Sequence, residues 1–200
     1  MSVGSDFAQQ FSKANLTEIY RNHVVLSNAT GLDNLGQTKF WASLDGERSI
    51  IERKVYAGNY NFTKFKLKLV SKGRGKIPRE ISIPTIRDRI ALRALCDFLA
   101  MRFKGAVSFE LPQHMVKKVK REAASGAYSG FIKLDVSNFY PSIRHGELMK
   151  RIRKRIHDRK IQDFIIRAIC TPTVVKSSPT DRQSTEGVPQ GLSISNILAA

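Results

Sequence analysis

The sequence predicts an α+β protein, with helices packed on a small, mainly antiparallel sheet. Three observations predict it. Apolar residues recur at helical spacing, most clearly at Ile86, Ile90, Ala91, Ala94, Leu95, Phe98 and Leu99. The period switches to two where Lys64, Lys66 and Lys68 alternate with Phe65, Leu67 and Leu69. Residues 131–143, FIKLDVSNFYPSI, form an apolar run that reads as a short strand buried on both faces, set between Ser129-Gly130 and Pro141.

Composition bounds the function. The 200 residues suffice for one domain or a little more, and 42% are hydrophobic, enough to fold around a core. Lys and Arg number 34 against 17 Asp and Glu, a net charge of +17. The excess is uneven, because residues 1–50 carry four basic and five acidic side chains. This favours a polyanionic partner, most simply nucleic acid; the alternative is a basic protein with no chemistry. Cys96 and Cys170 lie far apart and read as buried thiols in a reducing compartment. His23, His114, His145 and His157 form no metal pattern. No signal peptide is visible, and no apolar run approaches the ~18 residues of a membrane helix. The expectation is a cytoplasmic protein without membrane partners.

Taken in order, residues 1–30 are mildly amphipathic, with Leu16, Ile19, Tyr20, His23 and Val24 on one helical face. Gly31-Leu32-Asp33-Asn34 is a turn. A helix over 38–57 follows, with Phe40, Leu44, Ile51 and Val55 inward and Gly58-Asn59 ending it. Residues 60–70 and 77–84 then form a hairpin around the basic turn 71–76, SKGRGK, which lacks the GxxxxGK[ST] of a Walker loop. Such a hairpin is either a solvated edge that resists aggregation or a cationic tip suited to phosphate. Thr85 caps the next helix, three residues before Asp88, as a capping-box variant.

A further helix over 113–124 places Met115, Val116 and Val119 inward, and Ser125-Gly126 stops it. The strand 131–140 follows, with Asp135 at its centre. A buried carboxylate costs several kcal/mol unless paired or holding a metal. Asp135 is therefore either a strand-end acid facing water or a functional group. Residues 146–160 read as a strongly basic helix, either a solvated face or a contact for a nucleic-acid backbone. A packed helix over 161–170 follows, then a loop or ragged hairpin over 171–186. The tight turn Gly187-Val188-Pro189-Gln190-Gly191 leads to a final helix capped by Ser193 or Ser195.

Four segments, in this order, resemble reverse transcriptases, particularly the bacterial group II intron, retron and defence-associated lineage. GLDNLGQTKFWASL resembles that lineage's N-terminal extension. KIPREISIPTIRDRIALRAL resembles its finger segment, FIKLDVSNFYPSI its first catalytic palm motif, and EGVPQGLSISN the motif that contacts template and nucleotide. The resemblance covers about residues 30–200. It implies a right-hand polymerase: a helical extension over 1–57, fingers over 58–130 (hairpin 60–84, helix 85–104) and part of the palm over 131–200.

The implied reaction is RNA-templated DNA synthesis. A primer 3′-hydroxyl attacks a nucleotide α-phosphate, and two divalent ions about 3.5–4 Å apart stabilise the attacking and leaving oxygens. The resemblance implies two Mg2+ ions, with Mn2+ as the alternative; Asp135 bridges them and the Val136 carbonyl adds an oxygen. Tyr140 matches the steric gate that excludes a ribose 2′-hydroxyl. Lys72, with Lys76 as its rival, and Arg79 match the finger residues that hold the incoming triphosphate. Gln190 matches the glutamine near that nucleotide, and Gly191 allows close backbone approach to the template. Lys64, Lys66, Lys68, Arg87 and Arg89 are candidate nucleic-acid contacts. Implied partners are an RNA template, a DNA or RNA primer, deoxynucleoside triphosphates, and a small structured RNA or partner protein.

The sequence departs from the family in one respect. The aromatic-x-Asp-Asp hairpin expected beyond GVPQG is missing, no Asp-Asp pair occurs, and the sequence ends nine residues after Gly191. The expectation is a chain truncated before the second catalytic motif and inactive alone, with an open strand edge at 131–140. The competing class is a non-catalytic nucleic-acid-binding protein with a polymerase-like fold. The roles the resemblance implies are intron mobility, retron function and antiviral defence.

Overall fold

The computed structural model describes residues 3–105 and 111–200. Residues 106–110, inside the expected fingers segment, lie outside the described residues, as do residues 1–2 of the extension. The architecture is mixed α+β.

Helix α5, Ile86–Arg102, is the centre of the fold. Its expected stripe is buried, and Leu92 and Asp88 are buried as well, so nearly its whole circumference is covered. Helices α1 (Val3–Gln10), α2 (Lys13–Ile19) and α4 (Leu44–Tyr56) pack on it. An aromatic cluster locks this body. Phe7 meets Phe98 edge-on at 5.1 Å, and Phe11 and Tyr60 meet Phe164 edge-on at 5.4 and 5.6 Å. Thr85 caps α5 as expected, its hydroxyl accepting from the Asp88 N–H at 3.2 Å.

The expected helix over 38–57 is two helices, α3 (Gln37–Ala42) and α4, divided at Ser43. Its four inward residues are all buried. His23 is exposed rather than inward. The reason is a π-helical turn over Tyr20–Val24, in which the Val25 N–H reaches back to the Tyr20 carbonyl at 2.9 Å. The extra residue per turn rotates His23 off the core stripe.

The hairpin forms from β1 (Phe65–Val70) and β2 (Arg79–Ile83), antiparallel, with Lys68 opposite Ile81. Both strands are shorter than expected, and only Phe65 of β1 is fully buried. Strand β3, Thr173–Val174, joins β1 in parallel from within the expected loop, giving the order β2-β1-β3.

The largest correction concerns residues 131–143. They form no strand: residues 131–136 are irregular, and Ile132 and Leu134 are 89% and 87% exposed. Asp135 is likewise exposed, so it carries no burial cost. A strand needs a neighbour to satisfy its backbone groups, and among the described residues none pairs with this segment. Helix α6, Pro112–Ala124, forms as expected, but Met115, Val116 and Val119 are about half exposed instead of inward.

The expected basic helix over 146–160 ends early. Helix α7 spans His145–Arg153, and Asp158 restarts the chain as α8, Arg159–Cys170, accepting from the Lys160 and Ile161 N–H groups at 2.8 and 3.2 Å. The narrow seam Leu148, Ile152 and Ile156 is buried. Helix α9, Ser195–Ala199, is preceded by Ile194; neither Ser193 nor Ser195 caps it. Cys96 and Cys170 are free and partly buried, and burial raises both thiol pKa values. Among the described residues no helix is long and apolar enough to cross a membrane.

Candidate nucleotide-binding groove

The turn 187–191 is anchored on three sides. The Ser82 N–H of β2 donates to the Gln190 carbonyl at 2.7 Å. The Val188 and Gly187 N–H groups donate to the Tyr140 and Ile143 carbonyls at 2.9 and 2.8 Å. The Ser195 hydroxyl donates to the Pro189 carbonyl at 2.6 Å. Two glycines permit this. Gly187, at φ +82°, would place a Cβ 3.1 Å from the Pro141 carbonyl oxygen. Gly191, at φ +98°, would place one 2.8 Å from Ile81 Cγ2. The close approach at Gly191 in this structure is thus to β2.

His145 is a further anchor. Its Nε2 lies 2.6 Å from the Gly187 carbonyl, so Nε2 carries the proton. Its Nδ1 faces Cys170 Sγ at 3.5 Å. Spacing along the sequence carries no signal for this residue.

Anchoring the turn beside β2 creates a groove of about 550 Å³. Lys72 and Arg79 line it from the hairpin, Gln190 from the turn, and Asn138 and Pro141 from the segment next to Tyr140. Arg79 and Lys72 are exposed, and Glu80 and Glu186 also line the groove. Tyr140 is partly buried, and its hydroxyl donates to Asn196 Oδ1 at 2.7 Å. Asn138 was not singled out from the sequence, although its left-handed φ of +51° suits asparagine. Lys76 lies in the hairpin turn but does not line the groove.

Asp135 and Val136 stand outside this groove, exposed to solvent. Among the described residues no three His, Cys, Asp or Glu side chains converge. Two magnesium ions require several hard oxygen ligands. One exposed carboxylate and one carbonyl do not supply them, so the residues present do not by themselves fit the metal pair.

The outlying cations divide by their partners. Lys64 pairs with Asp181 at 3.0 Å and also meets the Ser178 carbonyl. The Ser178 N–H and the Lys64 ammonium hold Asp181 below the usual carboxylate range. Arg87 forms a two-point pair with Glu47, and that hydrogen bond raises its pKa. Arg89 donates to the Ala29 carbonyl at 2.7 Å. Lys66 reaches Asn34 Oδ1 at 3.1 Å, and Lys68 is exposed.

A family model for reverse transcriptase (RNA-dependent DNA polymerase) matches residues 70–200. Protein YkfC of Escherichia coli (strain K12) is 28% identical over 189 residues, a match covering 86% of this chain and 48% of the relative. The chain thus spans about half the length of that curated relative.

Proposed function

Because the chain belongs to the reverse transcriptase (RNA-dependent DNA polymerase) family, we propose that it forms the fingers and first part of the palm of an enzyme that copies RNA into DNA. One observation carries the reading. Lys72 and Arg79 of the hairpin and Gln190, more than a hundred residues further on, line a single groove beside the segment that holds Tyr140. The two cations would take the triphosphate of an incoming deoxynucleotide, as a guanidinium suits paired phosphate contacts. Gln190 would sit near its base or sugar, Gly191 near the template, and Tyr140 would exclude a 2′-hydroxyl. The domain limits follow the same reading: 1–57, 58–130 and 131–200.

Asp135, with the Val136 carbonyl, is assigned as the first of the ligands for a magnesium pair, which supplies stabilisation of phosphoryl charge when bound. Since one carboxylate does not complete that site, the chain alone is expected to be inactive and to need acids from another segment or chain. Lys68 and Lys66 remain the nucleic-acid contacts of choice on β1, because Lys64 and Arg87 are tied up in ion pairs. A cytoplasmic enzyme with an RNA template, a primer and no membrane fits the charge. The bacterial intron, retron and defence lineage is the context the motifs favour.

Primer extension on an RNA template tests this. The 200-residue chain should make no product, while a longer form or a complex supplying further carboxylates should extend the primer. In that active form Asp135→Ala should abolish synthesis and retain RNA binding, and Tyr140→Val should admit ribonucleotides. Undiminished synthesis in Asp135→Ala would overturn the reading; a longer form or complex that binds RNA yet extends no primer would favour the non-catalytic alternative.

A further inference from the structure

The basic residues of 146–160 take no part in the nucleotide groove. Four of them, Lys150, Arg151, Lys154 and Arg155, instead rim a separate cavity of about 700 Å³. It lies where α7 meets α9 and the C-terminal end of α5. Its floor is apolar: Leu99 and Phe103 from α5 and its C-cap, Leu148 and Ile152 from α7, and Ile197 and Leu198 from α9. Phe103 is half-buried and the other five are buried. On α7 the buried seam turns Leu148 and Ile152 inward, which leaves Lys150 and Arg151 at the mouth.

The charge of this rim is mostly uncompensated. Glu147 is the one acidic side chain on the cavity wall among the described residues, and Lys150 pairs with it at 2.7 Å. Arg151 and Lys154 are exposed and form no ion pair among the described residues. Arg155 is held in place: its Nη1 donates to the Arg102 carbonyl at 3.2 Å, and its guanidinium lies 5.5 Å from the centre of the Phe103 ring. The chain keeps a helical pitch past the end of α7, where the Ile156 N–H reaches the Ile152 carbonyl at 2.9 Å. Arg151 and Arg155 are thus about one turn apart, roughly 5–6 Å along the axis. Cations at that pitch above an apolar floor match a helix with carboxylates four residues apart beside an apolar stripe. A nucleic-acid backbone would use the cations and leave the floor unfilled.

We propose that this cavity is a docking site for an acidic amphipathic helix of a partner protein. Apolar anchors of that helix enter between α5, α7 and α9, as a helix seats in a groove, and its carboxylates meet Arg151, Lys154 and Arg155. Charge complementarity selects the occupant, since a chain of net charge +17 repels a second copy of itself and attracts an acidic partner. The inference does not rest on the polymerase reading, because no residue of the nucleotide groove lines this cavity.

The test is binding of a fluorescein-labelled synthetic peptide to the 200-residue chain, followed by anisotropy. The peptide carries leucines on one helical face and glutamates on the other, and is about 18 residues long, above the ~12–15 at which isolated helices are marginal. A scrambled peptide of the same composition, which presents no apolar stripe, should bind at least about fivefold more weakly. Arg151→Glu combined with Lys154→Glu should weaken helix binding at least about tenfold, by setting like charges at the rim. Lys118→Glu combined with Lys120→Glu makes the same change in net charge on the exposed α6 and should weaken it less than about threefold. Equal affinity for the two peptides, or equal losses in the two double variants, would overturn the docking site. A single-stranded RNA that displaces the bound peptide as completely as unlabelled peptide does, at equal concentration of charge, would overturn its assignment to a protein partner. None of these readouts requires a nucleotide or synthesis, so failure of the polymerase reading leaves them decisive.

Discussion

Asp88 sits in α5 with its carboxylate enclosed. The Tyr60 hydroxyl donates to Oδ1 at 2.7 Å and the Thr63 N–H to Oδ2 at 2.9 Å. Asp88→Ala leaves the buried Tyr60 hydroxyl without an acceptor and removes that of the Thr63 N–H, and should cost about 2–4 kcal/mol in urea unfolding. Burial pushes the Asp88 pKa above its usual 3.8, against the opposing hydrogen bonds. The folded chain therefore holds this proton more tightly than the unfolded chain. The Asp88 contribution to stability is greatest below 3.8 and declines as pH rises through its raised folded value. Asp88→Asn should remove that part of the pH profile while leaving the rest. Gly191 is the other position where a single atom matters. Gly191→Ala forces a Cβ to 2.8 Å from Ile81 at φ +98° and should cost about 1–3 kcal/mol. A thermal melt indistinguishable from the parent would show that the turn does not rest on β2.

At the scale of elements, local signals were legible where they coincide with packing. The stripe on α5, the Thr85 cap, the hairpin and the four inward residues of 38–57 were all readable, because periodicity there reports a face that the fold buries. Periodicity does not report what covers a face. Residues 131–136 and α6 carry core-like sequences, yet Leu134 and Val116 are 87% and 53% exposed. The π turn at Tyr20–Val24 was likewise invisible, since one added residue breaks the 3.6-residue pattern without any marker residue. The roles of Lys72, Arg79 and Gln190 came from family resemblance; Ser195 and Asn196 lie within the quoted motif EGVPQGLSISN, but their anchoring bonds were not read from it, and His145 carries no sequence pattern. Exposure makes a direct prediction. Val116→Lys and Leu134→Lys should each change the stability of this chain by less than about 0.5 kcal/mol, whereas Leu95→Ala, in the wholly buried stripe, should cost about 2–5 kcal/mol. A loss of that size in either lysine variant would show that the apolar segment is packed in solution.

The whole molecule is a helical body around α5 with a small sheet at its edge, and its charge of +17 makes nucleic-acid binding strongly dependent on salt. The turn 187–191 links the parts, since it is bonded to β2, to Tyr140 and Ile143, and to the start of α9. That placement puts hairpin cations and Gln190 on one groove without any metal ligand taking part. Equilibrium binding of a deoxynucleoside triphosphate, measured by titration calorimetry on the 200-residue chain, tests the groove most directly. The account predicts that Arg79→Ala weakens binding at least about tenfold and Lys72→Ala less, while Lys118→Ala on the exposed α6 has no effect. Equal affinity in Arg79→Ala and the parent chain would contradict it.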